Sequence, residues 1–154
     1  MNPKTSSEAL WLSAEHWLDV FENPLEERIG AEACPCCKFS DNAAEKAFGP
    51  NFINRDDFTE FACFQCPISR DYEPLCYQTP YYNALQEITA LKSSARRLEH
   101  FDNWLENNFR SDQIQERIVT ELEIFESRLI RAKKAIRAEY EFLVEMALTE
   151  SQKA

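Results

Sequence analysis

Apolar residues recur at steps of three and four along three stretches of this chain, and each stretch has a recognisable start or stop signal. The first carries Leu10, Ala14, Trp17, Leu18 and Phe21. Thr5 followed by Glu8 has the form of a capping box and Asn23-Pro24 closes the run, so a helix is predicted from about Ser6 to Glu22. The second stretch opens at Thr79-Pro80-Tyr81, an N-cap with proline at the first helical position. Its seam reads Tyr81, Leu85, Ile88, Leu91, Ala95, Leu98, Phe101, Leu105 and Phe109, reaching about Asn108 and spanning about 45 Å. The third is capped by Ser111 or Asp112 and reads Ile114, Ile118, Leu122, Phe125, Leu129, Ala132, Ile136, Tyr140, Leu143 and Ala147, with neither proline nor glycine from there to the end. The intervening Asn107 to Ser111 is too short to do more than reverse direction, so residues 80–154 are expected to form a long antiparallel helical hairpin.

Val119, Ile124, Ile130, Phe142, Val144 and Met146 lie off the third seam, and a two-helix hairpin alone leaves them wet. The first helix, with Trp11 and Trp17, is the preferred cover and gives a three-helix bundle; a second copy or a partner are the alternatives. Between these stretches, Ser40 is read as the cap of a short helix ending at Phe48 before Gly49-Pro50, and Asn51 to Phe61 as loop or short strand. The expected fold is mainly α. Residues 1–33 supply the N-terminal helix and a linker, 34–79 a compact module, and 80–154 the hairpin.

Charge narrows the range of partners. The formal net charge is -10. Met1 to Thr79 holds 14 acidic and 6 basic residues, and Pro80 to Ala154 holds 13 and 11, so the N-terminal half is the acidic one. Such a surface repels phosphate backbones and anionic lipid and attracts basic protein surfaces. The first residues lack the apolar core of a signal peptide, and no run approaches the roughly 20 apolar residues that span a bilayer, so a cytoplasmic protein without a membrane partner is expected. With Gly30 and Gly49 the only glycines, a phosphate-cradling glycine loop is excluded.

All six cysteines fall between Cys34 and Cys76, and reduced cytosolic thiols at this density more often bind metal than form disulfides. Cys34-Pro35-Cys36-Cys37 and Cys63-Phe64-Gln65-Cys66 have the spacing of two zinc knuckles, and two knuckles complete one tetrahedral site. The assigned ligands of one structural Zn2+ are Cys34, Cys37, Cys63 and Cys66, with Cys76 as an alternative fourth ligand in place of Cys63. Cys36, inside a knuckle, is read as a free thiol. A four-thiolate site has no open position for catalysis, and His16 and His100 lie far from the cysteines in sequence, so no enzyme is expected. A Cys-x-x-Cys redox pair is the other chemical reading; it requires a helix N-terminus, normally in a βαβ setting, and no β pattern of that kind is present.

Arg128, Arg131, Lys133, Lys134 and Arg137 crowd one stretch, and an antiparallel neighbour would bring Lys92, Arg96 and Arg97 beside them. This basic patch supports an alternative reading as a nucleic-acid-binding regulator, set against a solvated face balanced by Glu126, Glu139 and Glu141. The pattern Cys34-Pro-x-Cys37, Cys63-x-x-Cys66-Pro67-Ile68, Cys76-x-x-Thr79-Pro80-Tyr81 resembles that of small uncharacterised cysteine-motif proteins of tailed phages and their bacterial hosts. It departs from theirs in the 25 residues between Cys37 and Cys63 and in Leu75, where they carry glycine. The resemblance implies a shared metal module and a phage or prophage origin, and no activity. The expected function is that of a zinc-stabilised acidic protein that binds a host protein with a basic surface, as a DNA mimic would.

Overall fold

The computed structural model describes residues 2–49, 62–63, 65–70, 76–107 and 112–153. Among these the chain is mainly helical and contains no strand: α1 (Ser6–Glu22), α2 (Pro35–Phe48), a 3-10 turn (Cys76–Gln78), α3 (Pro80–Asn107) and α4 (Asp112–Gln152). The Asn51 to Phe61 stretch and the connection at 108–111 lie outside the described residues.

α1 begins and ends where its local signals place it. Thr5 Oγ1 accepts from the Glu8 amide at 3.1 Å, while Glu8 Oε2 accepts from the amide of Lys4 at 2.8 Å, one residue before the cap. The buried face is Ala9, Leu10, Ser13, Ala14, Trp17 and Val20. Leu18, expected on this seam, is 45% exposed; Val20 lies one helical step from Trp17 on the inner face and replaces it.

α2 starts earlier than the sequence suggests. Cys34 is its N-cap and Pro35 its first residue, so Ser40 is no cap; its hydroxyl donates to the Cys37 carbonyl at 2.9 Å. Proline at N1 costs no hydrogen bond and has helical φ already set, which outweighs the weaker signal of a serine one turn on. The Cys34 to Cys37 segment is therefore a helix start rather than a knuckle turn. Gly49 ends the helix at φ 61, its amide donating to Glu45 O at 2.8 Å.

α3 opens as expected. Thr79 Oγ1 donates to the Cys76 carbonyl at 2.6 Å and accepts from the Tyr81 amide at 3.3 Å. α4, with 41 residues and a length of about 60 Å, is the spine of the molecule. α3 runs antiparallel to its first part, since Arg97 Nε meets Glu121 Oε2 at 3.2 Å and Arg128 Nη1 donates to Ala90 O at 2.9 Å. α1 runs antiparallel to its last part: the Ser7 and Ser151 hydroxyls are 2.8 Å apart, and Lys133 Nζ stands 4.8 Å from the Phe21 ring centre. α1 and α3 meet at an edge-on contact of Trp17 with Tyr81, centroids 5.8 Å apart.

Leu10, Ile88, Leu91, Ile136 and Leu143 are fully buried around this junction, each worth about 1.5–3 kcal/mol of burial. Phe142, Val144 and Met146 are half-covered along the stretch that α1 reaches. Beyond its reach, Val119 is 55% and Ile130 71% exposed. Among the described residues no helix is long and apolar enough to cross a membrane.

Candidate metal centre

The cysteines lie where α2 begins against α1, in the turn at 63–70, and in the 3-10 turn that packs on α3. A turn from Gly30, whose φ of 119 favours a residue without Cβ, delivers Cys34 with its amide bonded to Gly30 O at 3.0 Å. Cys36 and Cys37 follow in the first turn of α2. Cys36 is completely buried: its sulfur accepts from the Ser13 hydroxyl at 3.2 Å, and the same Ser13 oxygen accepts from the Cys36 amide at 3.2 Å. Ser13 of α1 thereby satisfies one of the orphan amides that begin α2. Cys66 is placed by a turn in which its amide donates to Cys63 O at 3.1 Å and the Arg70 amide donates to Cys66 O at 3.0 Å. An ion pair of 3.0 Å from Arg70 to Glu150 ties that turn to the end of α4.

The thiols interact with one another. Those of Cys36 and Cys37 both hydrogen-bond to Cys34; these bonds, aided by the Cys37 and Cys36 amides, hold Cys34 well below the ordinary thiol range despite burial. Cys36 also bonds to Cys66, which lowers Cys66 with help from the Ser69 and Ile68 amides. Giving up those protons is correspondingly hard for Cys36, through its bonds to Cys34 and Cys66, and for Cys37, through its bond to Cys34. Burial pushes Cys76 up to about 11, with Cys66, Cys34 and Cys63 adding to the effect. Cys34 and Cys66 are thus the thiols whose ionisation their neighbours favour. Cys63 is half-exposed; burial raises it, and Cys66 and Asp41 add to the shift.

Of the assigned ligands, Cys34, Cys37 and Cys66 and the alternative Cys76 act on one another electrostatically, and Cys63 is tied in through Cys66 and Cys76. The donor chemistry suits a thiophilic divalent ion, since metal binding replaces thiol protons with one shared cation. In this arrangement the thiols are paired with each other, and among the described residues no three His, Cys, Asp or Glu side chains form a ready ion-binding group. Cys36, read from the sequence as a free thiol, is the innermost of the six.

Sequence reasoning missed Glu139. Taken there as a counter-charge on a solvated face, it is 1% exposed. The Tyr81 amide, bonded to Thr79 Oγ1, favours its ionised form, while Oε2 has no hydrogen-bond partner among the described residues. Desolvation pushes its pKa up to about 8, and the charge on Cys34 adds to this against the Tyr81 amide. A signal existed: Glu139 lies three residues after Ile136 and four before Leu143, on the α4 seam itself.

The basic patch disperses. Lys92 donates to Glu27 O at 2.9 Å, Arg97 pairs with Glu121, Arg128 bonds to Ala90 O, Lys133 stacks on Phe21 and Arg137 pairs with Glu141 at 2.9 Å. The α3–α4 register sets Arg97 opposite Glu121, ten residues and about 15 Å from Arg131. Five of the eight basic side chains thus serve contacts within the chain. Compared with known proteins, the chain matches no family model, no curated sequence and no solved structure.

Proposed function

We propose that this chain is a non-enzymatic, zinc-stapled helical protein that acts by binding a protein with a basic surface. The observation that carries the metal part is the thiol network joining Cys34, Cys36, Cys37, Cys66 and Cys76 at the meeting point of the helices. One Zn2+ is held by Cys34, Cys37 and Cys66 with Cys63 or Cys76; the reach of Cys76 to both Cys34 and Cys66 favours Cys76. The binding part rests on an acidic stripe: Glu15, Asp19 and Glu22 are exposed at steps of four and three along the outer face of α1, and Glu26 and Glu32 continue it. A stripe of that kind suits the basic groove of a protein that handles nucleic acid, and a phage-encoded modulator of a host protein is the setting the cysteine pattern suggests.

Elemental analysis of protein purified without added metal tests the first part: one zinc per chain is expected, and less than about half an equivalent together with disulfides refutes it. Affinity capture with wild type and a Glu15, Asp19, Glu22 triple-Lys variant tests the second. The expected partner is basic and lost with the variant.

A second reading is favoured by one specific feature. Cys34 at the N-cap with Cys37 in the first turn places a low-pKa thiol at a helix N-terminus, the setting of thiol–disulfide exchange without the βαβ frame. A Cys34–Cys37 disulfide that forms in glutathione redox buffers, in protein carrying no zinc, selects this reading.

A further inference from the structure

The two ends of α4 are clothed differently. α1 follows it only as far as Lys133, whose Nζ stands 4.8 Å from the Phe21 ring centre, so along 112–131 α3 is its one helical neighbour among the described residues. No residue of that stretch is fully buried, and Val119, Leu122 and Ile130 share one face at 55%, 46% and 71% exposure. A continuous apolar stripe of this kind marks an interaction surface. Charge is divided along the same helix: 112–126 carries five acidic side chains and one basic, and 128–137 carries five basic and none acidic. The α3 residues alongside the acidic half, Lys92 to Glu106, hold three of each sign and leave it uncompensated. Glu116, Glu123, Glu126, Arg131 and Lys134 are exposed and enter no ion pair among the described residues. Where α1 ends, Leu18, Phe21, Arg137 and Tyr140 line a mainly apolar cavity of about 210 Å³.

We propose that two copies of this chain associate through this face, α4 running antiparallel to α4 about a two-fold axis near residue 128. A parallel arrangement sets like charges together. The antiparallel one faces each acidic half with the basic half of the other copy, bringing Glu123 to the level of Lys133 and Lys134. The same axis lies midway between Val119 and Arg137, nine residues from each. It therefore carries each Val119 to the other copy's cavity between Leu18, Phe21 and Tyr140, and the contact is made twice, as a closed isologous dimer requires. The change from acidic to basic falls at Ser127, so charge and cavity place the axis independently at almost the same residue. One helix against one is a small interface, which sets the Kd at about micromolar or weaker. Nothing in this association depends on zinc.

Sedimentation velocity of the full chain over a range of concentrations, at low and physiological salt, tests the association. The mass should approach twice 18.0 kDa as concentration rises, and the dimer should weaken as salt screens the charged halves. Val119→Glu, at an exposed position, should weaken association about tenfold or more. Charge reversal adds a readout that a general surface effect would not give. Glu123→Lys with Glu126→Lys, and Arg131→Glu with Lys134→Glu, should each associate less than wild type alone and regain association when mixed, because the mixture restores opposite charges across the seam. A chain still monomeric at about 500 μM overturns the proposal, whatever then covers the stripe. So does a dimer that Val119→Glu and both charge reversals leave intact. Should a variant fail to fold, the mass of the wild-type chain and its salt dependence decide.

Discussion

Ser13 offers the sharpest test of how the cysteine segment is held. It lies in the middle of α1, 1% exposed, and its single oxygen both accepts from the Cys36 amide and donates to the Cys36 sulfur, each at 3.2 Å. Replacing it with alanine leaves the amide in a buried site with no acceptor, since Cys36 sits in the first turn of α2 where no preceding carbonyl can reach it. A buried donor left unsatisfied costs about 1–3 kcal/mol, and loss of the thiol contact adds little because sulfur is a weak acceptor. For a domain of this size that lowers Tm by several degrees, on the order of 2–4 °C for each kcal/mol. Urea denaturation of Ser13→Ala beside Ser7→Ala makes the comparison internal. The Ser7 hydroxyl meets Ser151 at the exposed end of the molecule, and its loss should change stability by no more than about 0.5 kcal/mol. If Ser13→Ala is as stable as Ser7→Ala, the capping of α2 by α1 is refuted.

Two further outcomes follow from the same geometry. Cys63→Ser should keep its zinc while Cys66→Ser loses it, because Cys63 is half-exposed whereas Cys66 is buried and hydrogen-bonded to Cys36; loss of zinc from both, measured by elemental analysis, would support Cys63 as the fourth ligand over Cys76. Gel-shift titrations near physiological salt should show no nucleic-acid binding tighter than about 1 μM, given that Lys92, Arg97, Arg128, Lys133 and Arg137 are engaged within the chain. Tighter binding abolished in an Arg131→Ala, Lys134→Ala double variant would revive the nucleic-acid alternative.

Helix boundaries governed by local chemistry were legible in the chain. The Thr5 cap, the Asn23-Pro24 stop, Thr79-Pro80 and Gly49 act within four residues of themselves, so their effect does not depend on what the rest of the molecule does. The seams of α1 and α4 were readable in the main, because helical periodicity converts into a face, but Leu18 and Leu122, counted on them, are 45% and 46% exposed. One local signal was misread: Ser40 was credited with a cap that Pro35, at N1, had already made unnecessary. What no local rule could supply is which side chains from different elements share a volume. Ser13 meets Cys36 only because α1 crosses the start of α2, and Glu139 is buried, 1% exposed, only because α4 is packed between α1 and α3 at its level. The cysteine spacing suggested metal chemistry, but it could not tell that Cys36 is completely buried against α1 while Cys63 is half-exposed. Spacing along the chain records which thiols can share a turn, whereas burial against α1 and α4 decides which of them face one another.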